Sequence, residues 1–234
     1  MNSTNTGSFE FSGDALRSAS EARISYIRKV YSFFGLGLLA AAGGTLITMN
    51  TPGLLITIAQ NMLISILVYF GAFFFASKAS TNPTMALPAL LLFTFVSGAI
   101  LAPTLLVIAM TNLDGAGFGL IYNALFFTCL IFGALTVYVF VTKKDFSYMR
   151  ASLMIGLFLV IGASVVNMFV QSSSLDLALA VVGVILFSGL ILYKTSTILR
   201  NPYEIPPTLA ALGLYISFIN LFLSILRILG GRRD

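Results

Sequence analysis

The apolar runs of this chain carry few side chains that could do chemistry, and those few fall into a pattern. Gly213, Ser217, Asn220, Ser224 and Arg227 recur at steps of four, three, four and three within Pro207–Leu229. On a helix these steps place one small-and-polar stripe on a single face, with Leu, Ile and Phe on the others. Lone hydroxyls and amides are costly in hydrocarbon, so the stripe must look inward at other helices. It is read either as a packing seam of small residues or as a functional polar core. Asn167, in another apolar run, joins Ser217, Asn220 and Ser224 as a candidate member of that core, with interhelical hydrogen bonding as its plain role. Two cations flank the set. Lys194 closes one run and Arg227 lies one turn inside the far end of another, and both are expected to reach the membrane interface, where a long side chain can snorkel.

The inventory excludes more chemistry than it allows. The chain has no histidine and no tryptophan, and its one cysteine, Cys129, lies in an apolar run, so no disulfide framework is available. Histidine-based metal sites, serine–histidine hydrolysis and cysteine–histidine dyads are therefore absent. Ser97–Gly98 offers a serine but no histidine to act as its base. The eight acidic residues are Glu10, Asp14, Glu21, Asp114, Asp145, Asp176, Glu204 and Asp234. All fall in the N-terminal tail, in loops or at segment edges, which leaves no mid-helix carboxylate pair for proton relay or cation transport. No catalytic residue, metal ligand or cofactor site is expected.

What must position these groups is a set of membrane helices. Of the 234 residues, 58% are hydrophobic and only 9% charged, where soluble domains run near 25% charged, and the mean hydropathy is +0.99. The expected fold class is an all-α integral membrane protein with seven spans: Val30–Met49, Gly53–Ser77, Met85–Met110, Phe118–Thr142, Ala151–Val170, Leu175–Tyr193 and Pro207–Leu229. The last has 23 residues, enough for about 35 Å. Pro103 is expected to kink or end the third helix. Gly35, Gly37, Gly43, Gly44 and Ser97–Gly98 supply small faces for close packing. Residues 1–22 are rich in Ser, Asn, Thr and Gly and are expected to form a largely disordered tail before a transmembrane domain spanning 23–234. A short surface helix is expected over Ser18–Arg28.

The net charge of +5 is a topology signal rather than a nucleic-acid footprint. Arg17, Arg23, Arg28, Lys29, Lys78, Lys143, Lys144, Arg150, Lys194 and Arg200 fall in the tail and in alternate loops, while the loops near Asn50–Pro52, Thr111–Gly117 and Gln171–Ser174 carry no basic residue. The positive-inside rule then puts the N-terminus in the cytoplasm. Seven full spans put Arg227, Arg232 and Arg233 on the opposite side, against the rule; a re-entrant last segment would satisfy it. A full span is the expectation.

Several segments, in order from Arg28 onward, resemble the Bax-inhibitor (transmembrane Bax inhibitor motif) family. They are Arg28-Lys-Val-Tyr31, Phe95-Val-Ser-Gly-Ala-Ile-Leu-Ala-Pro103, Thr142-Lys-Lys-Asp-Phe-Ser147, Ile191-Leu-Tyr-Lys-Thr-Ser196 and Leu214-Tyr-Ile-Ser-Phe-Ile-Asn-Leu-Phe222. The resemblance implies a seven-helix bundle with the seventh helix at its centre. Family members that act as pH-sensitive calcium leaks carry two aspartates at the positions of Lys194 and Ser217, so that acid-gated pair does not carry over. The chain is more similar to a bacterial branch, the YccA-like proteins, in its serine at 217, its Asn167-Met-Phe-Val-Gln171 ending and its Arg233–Asp234 terminus.

That branch modulates the membrane-bound ATP-dependent protease FtsH, as a poor substrate and inhibitor that presents an N-terminal tail. The resemblance therefore implies a non-enzymatic multi-pass protein of the bacterial inner membrane, with lipid and an FtsH-type protease as partners and no nucleic acid. An ion or solute leak lined by the seventh-span stripe is the alternative. A structural scaffold is a third reading, one that leaves the tail unexplained.

Overall fold

The computed structural model describes the backbone of residues 6–111, 116–202 and 204–231, and the side chains of those residues except 6–16, 111 and 116. Within them the chain forms α1 (Thr6–Met49), α2 (Pro52–Gln60), α3 (Met62–Ala79), α4 (Ala86–Thr111), α5 (Ala116–Thr142), α6 (Arg150–Val170), α7 (Ser173–Arg200) and α8 (Pro207–Gly230). A single 3₁₀ turn at Ser147–Met149 leads into α6. Among the described residues seven helices are long and apolar enough to cross a membrane, α2 being the short exception.

Helix α8 is the axis. Of its apolar stretch 67% is buried in the bundle, against 44% for α7 and 6% for α3 and for α6. It packs against α1, α3, α4, α5 and α7. Leu214 and Leu221 are fully buried, and Phe218 stacks edge-on to Phe34 of α1 and Phe132 of α5. Lipid is as apolar as leucine, so this burial gains close packing rather than escape from water. The central seventh span expected from the sequence is what the structure has.

Close approach of backbones is concentrated between α1 and α4. A Cβ on Gly98 would stand 1.9 Å from the Ala41 carbonyl oxygen, and one on Gly44 would stand 2.1 Å from that of Phe95. Thr45 donates across this crossing to the Gly98 carbonyl (2.9 Å). Gly35 and Gly43 have open space beside them, so only part of the small-residue inventory is a packing device.

Four expectations need correction. The span expected over Gly53–Ser77 is two helices broken at Asn61, whose backbone leaves the helical region (φ −112°, ψ 57°). Side chains cover the break: Asn61 Nδ2 donates to the Thr57 carbonyl, and Ser65 Oγ to those of Ile58 and Asn61. Pro103 does not end α4, which runs on to Thr111; a missing N–H in a membrane helix is tolerated when neighbours pack around it. Helix α1 begins at Thr6, so the backbone of residues 6–22 is helical where a disordered tail was expected, in line with helix formers such as Ala15, Leu16, Ala19, Glu21 and Ala22. Ser18–Arg28 is the middle of this helix rather than a separate surface helix. Residues 1–5, most of the expected Thr111–Gly117 loop and Arg232–Asp234 lie outside the described residues.

Candidate functional site

Helices α7 and α8 run antiparallel and touch along their whole length. At one end Arg227 of α8 pairs with Asp176 in the first turn of α7 (3.8 Å). That turn is capped by Ser172, which accepts from the Leu175 N–H. The end of α8 therefore reaches the start of α7, and the last segment runs along the full length of its neighbour.

Nearer the other end, the Lys194 ammonium donates to the Gly213 carbonyl (2.6 Å) and to Ser217 Oγ (2.8 Å). The sequence sends Lys194 to the membrane interface; in the structure its side chain is turned toward α8. Helix α7 continues six residues past Lys194, about 9 Å, and the side chain turns sideways against Gly213. Among the described residues no carboxylate lies within ion-pair distance of Lys194; the two ion pairs there are Arg227–Asp176 and Arg200–Asp145.

The polar stripe faces a groove of about 520 Å³. Lys194 and Ser217 stand at one end of it, Arg227 at the other, and Asn220 and Ser224 line the floor between them. The groove exists because α6 leans on α7 alone and makes no close approach to α3 or α8 among the described residues. Phe70 and Phe73 of α3 form one wall, and Leu157, Val160 and Ile161 of α6 the other. A smaller cavity of about 210 Å³ lies on the far side of Lys194, between it and Ile205, Leu209 and Ala210.

Hydrogen bonding on the stripe is local. Ser217 Oγ donates to the Gly213 carbonyl, Asn220 Nδ2 to that of Ile216 and Ser224 Oγ to that of Asn220, each four residues back. The interhelical glue expected of Asn220 is not there. Asn167 is not part of the polar core at all: its Oδ1 accepts from the Ser172 N–H (3.1 Å), tying off the end of α6 where Gln171 turns left-handed (φ 52°). An amide at a helix end satisfies a backbone group that would otherwise be orphaned. Ser217, Asn220, Ser224 and Lys194 do come together, and Arg227 joins them from the opposite end. Among the described residues no group of three or more acidic or sulfur ligands could hold a metal ion.

A second constellation gathers at the basic end of the bundle. Lys143 bends left-handed (φ 51°), its carbonyl accepts from Arg200 (2.8 Å), and Ser196 Oγ bridges the Lys144 carbonyl and the Phe146 N–H. Asp145 Oδ1 accepts from the Ser147 N–H (2.9 Å), and the carboxylate lies 3.8 Å from Arg200. The Ser147 backbone N–H, then its hydroxyl and the Arg200 charge, hold the Asp145 carboxyl below its ordinary value.

A carboxyl of this kind stabilises fully above about pH 4, the ordinary carboxylate range, and the effect is lost as pH falls through the lower native value. Asp145→Ala should therefore speed hydrogen exchange at Ser147–Met149 at pH 7, with the gap from wild type narrowing near pH 3. An equal gap at both pH values would contradict the assignment.

Nearby, Arg23 donates to the Leu199 carbonyl and Tyr26 to that of Ile205 (2.9 Å), clamping α1 to the α7–α8 loop. Nothing in the sequence pattern signals these two, because backbone carbonyls leave no mark in residue types.

Comparison with known proteins agrees with this architecture. The family described as "Inhibitor of apoptosis-promoting Bax1" matches residues 23–234, beginning where Arg23 first grips the bundle. A Helicobacter pylori protein of uncharacterised function is 36% identical, the match covering 94% of this chain and 92% of the relative. A Vibrio cholerae protein described as an uncharacterised membrane protein is 35% identical, covering 87% and 88%. An Escherichia coli K12 protein named "Modulator of FtsH protease YccA" is 32% identical, covering 93% and 97%. The chain belongs to the Bax-inhibitor family of multi-pass membrane proteins.

Proposed function

We propose that this protein is a non-enzymatic modulator of an FtsH-type ATP-dependent membrane protease, acting as a slowly extracted substrate engaged through its N-terminal arm. The observation that carries the reading is the contrast between arm and bundle. Arg17–Ser25 are exposed, while Tyr26, Val30 and Phe34, one face of the same helix, are buried. An exposed helix is marginal in water, so a processive ATPase can melt the arm. The bundle behind it is held by buried aromatic packing of Phe34, Phe132 and Phe218, which resists the next pull.

The relative named as an FtsH modulator supports the partner class, and the inner-membrane wording used for an Escherichia coli relative supports the compartment. The basic residues gather at the end that carries the arm: Arg23 meets Leu199, and Arg200 meets Lys143. In our reading that end is cytoplasmic and the C-terminus periplasmic.

Affinity purification of the tagged full chain from native membranes tests this. An ATP-dependent membrane protease should accompany the full chain and be lost when residues 2–20 are removed. Its absence from both, or its persistence without the arm, overturns the proposal.

One observation favours a second reading, a leak pathway: Lys194 lines both the groove and the smaller cavity. A cation there repels cations, which ranks this reading below the first. A pH-dependent calcium flux in liposomes would reverse the order.

A further inference from the structure

The groove over α8 is not used by the proposed protease mechanism, and its chemistry is specific. It is about 520 Å³, within the range of cavities that hold a drug-sized ligand. Its walls are aliphatic and aromatic, contributed by α3 and α6, and its floor is quiet, because each stripe hydroxyl already donates to its own helix. Two cations stand at its ends, Lys194 and Arg227.

An ammonium has three N–H donors. Two are taken by neutral oxygens of Gly213 and Ser217, which leaves the third and an uncompensated charge beside an apolar slot. Arg227, at the opposite end, is exposed and faces Asp176, so its charge is answered already. A charge next to hydrocarbon calls for a counter-charge that can tolerate the same surroundings.

We propose that this groove binds a single-chain carboxylate amphiphile, a long-chain fatty acid, with its head group on Lys194 and its alkyl chain between α3 and α6. The lateral gap between these two helices gives such a molecule entry from the bilayer. One remaining N–H suits a carboxylate better than a phosphate, which would be matched by an arginine fork or several free donors. The groove has room for a chain but presents one anchoring cation, which favours one alkyl chain over a two-chain phospholipid. This inference is independent of the protease reading.

The test uses the full chain in nanodiscs of zwitterionic lipid, with the fluorescent fatty acid cis-parinaric acid and its methyl ester as probes. Saturable binding of the acid, at least ten-fold tighter than the ester, is expected for wild type. Lys194→Met, similar in volume, should bring the acid down to the affinity of the ester. Val160→Trp, which fills the groove from the α6 wall without touching the charge, should weaken both probes. Equal binding of acid and ester to wild type, non-saturable partition into the bilayer, or unchanged affinity in both variants overturns the proposal. The acid-to-ester ratio on wild type decides the matter even if Lys194→Met does not fold.

Discussion

Gly98→Leu is expected to abolish a folded, monodisperse protein in detergent, and Gly98→Ala to lower its thermal midpoint clearly. The reason lies in the α1–α4 crossing. Any Cβ at this position falls 1.9 Å from a backbone oxygen of Ala41, which cannot swing aside as a side-chain tip can. The helices must separate, and separation also stretches the hydrogen bond from Thr45 to the Gly98 carbonyl.

Overpacking of a tight core costs about 1–3 kcal/mol, and an interhelical hydrogen bond in a membrane protein averages about 0.6 kcal/mol. Between helices in lipid there is no hydrophobic effect to offset these losses, because lipid receives the exposed surface without penalty. Gly35→Ala is the matched control: open space surrounds that Cβ, and the midpoint should stay at the wild-type value or rise slightly, since alanine favours helix. Equal behaviour of Gly98→Ala and Gly35→Ala would show that the crossing is not where the bundle is tight.

Removing Asn2–Ser20 is the second large effect expected, and it acts on turnover rather than on folding. Among the described residues the first buried side chain is Tyr26, and the clamps of this helix, Arg23 to Leu199 and Tyr26 to Ile205, lie beyond the deleted stretch. The truncated protein should keep its thermal midpoint while its half-life in cells lengthens several-fold. Fusing residues 1–22 to an unrelated stable membrane protein should make that protein a protease target. A truncated protein degraded at the wild-type rate would place the handle elsewhere.

The two perturbations are designed to separate. Gly98→Ala loosens the bundle behind an intact arm, and should make the chain a faster substrate and a weaker inhibitor.

How much of this was legible follows from which forces leave a trace in residue types. The seven spans were, because a run of about 20 apolar residues has few other readings. The inward stripe on α8 was legible too, through its helical spacing. The break at Asn61 was marked by Gln60, Asn61 and Ser65 within one apolar run, but a long run read by its average hydropathy hides three polar residues.

The partners of Lys194 were not legible because they are set by α8. The carbonyl of Gly213 and the hydroxyl of Ser217 cannot be paired with residue 194 without the register of two helices. Asn167 looked like core by composition and turned out to tie off a helix end, which depends on where α6 stops. The groove itself was invisible. It arises from α6 failing to touch α8, and a missing contact has no signature in a sequence.

The account rests on the chain engaging the protease by its arm and then resisting extraction. The most direct measurement is the degradation rate of a second membrane substrate by purified FtsH-type protease in proteoliposomes, with this protein present at equal stoichiometry. The full chain should slow that degradation several-fold, and the chain lacking residues 2–20 should leave it unchanged. Slowing that survives loss of the arm, or no slowing by the full chain, would contradict the account.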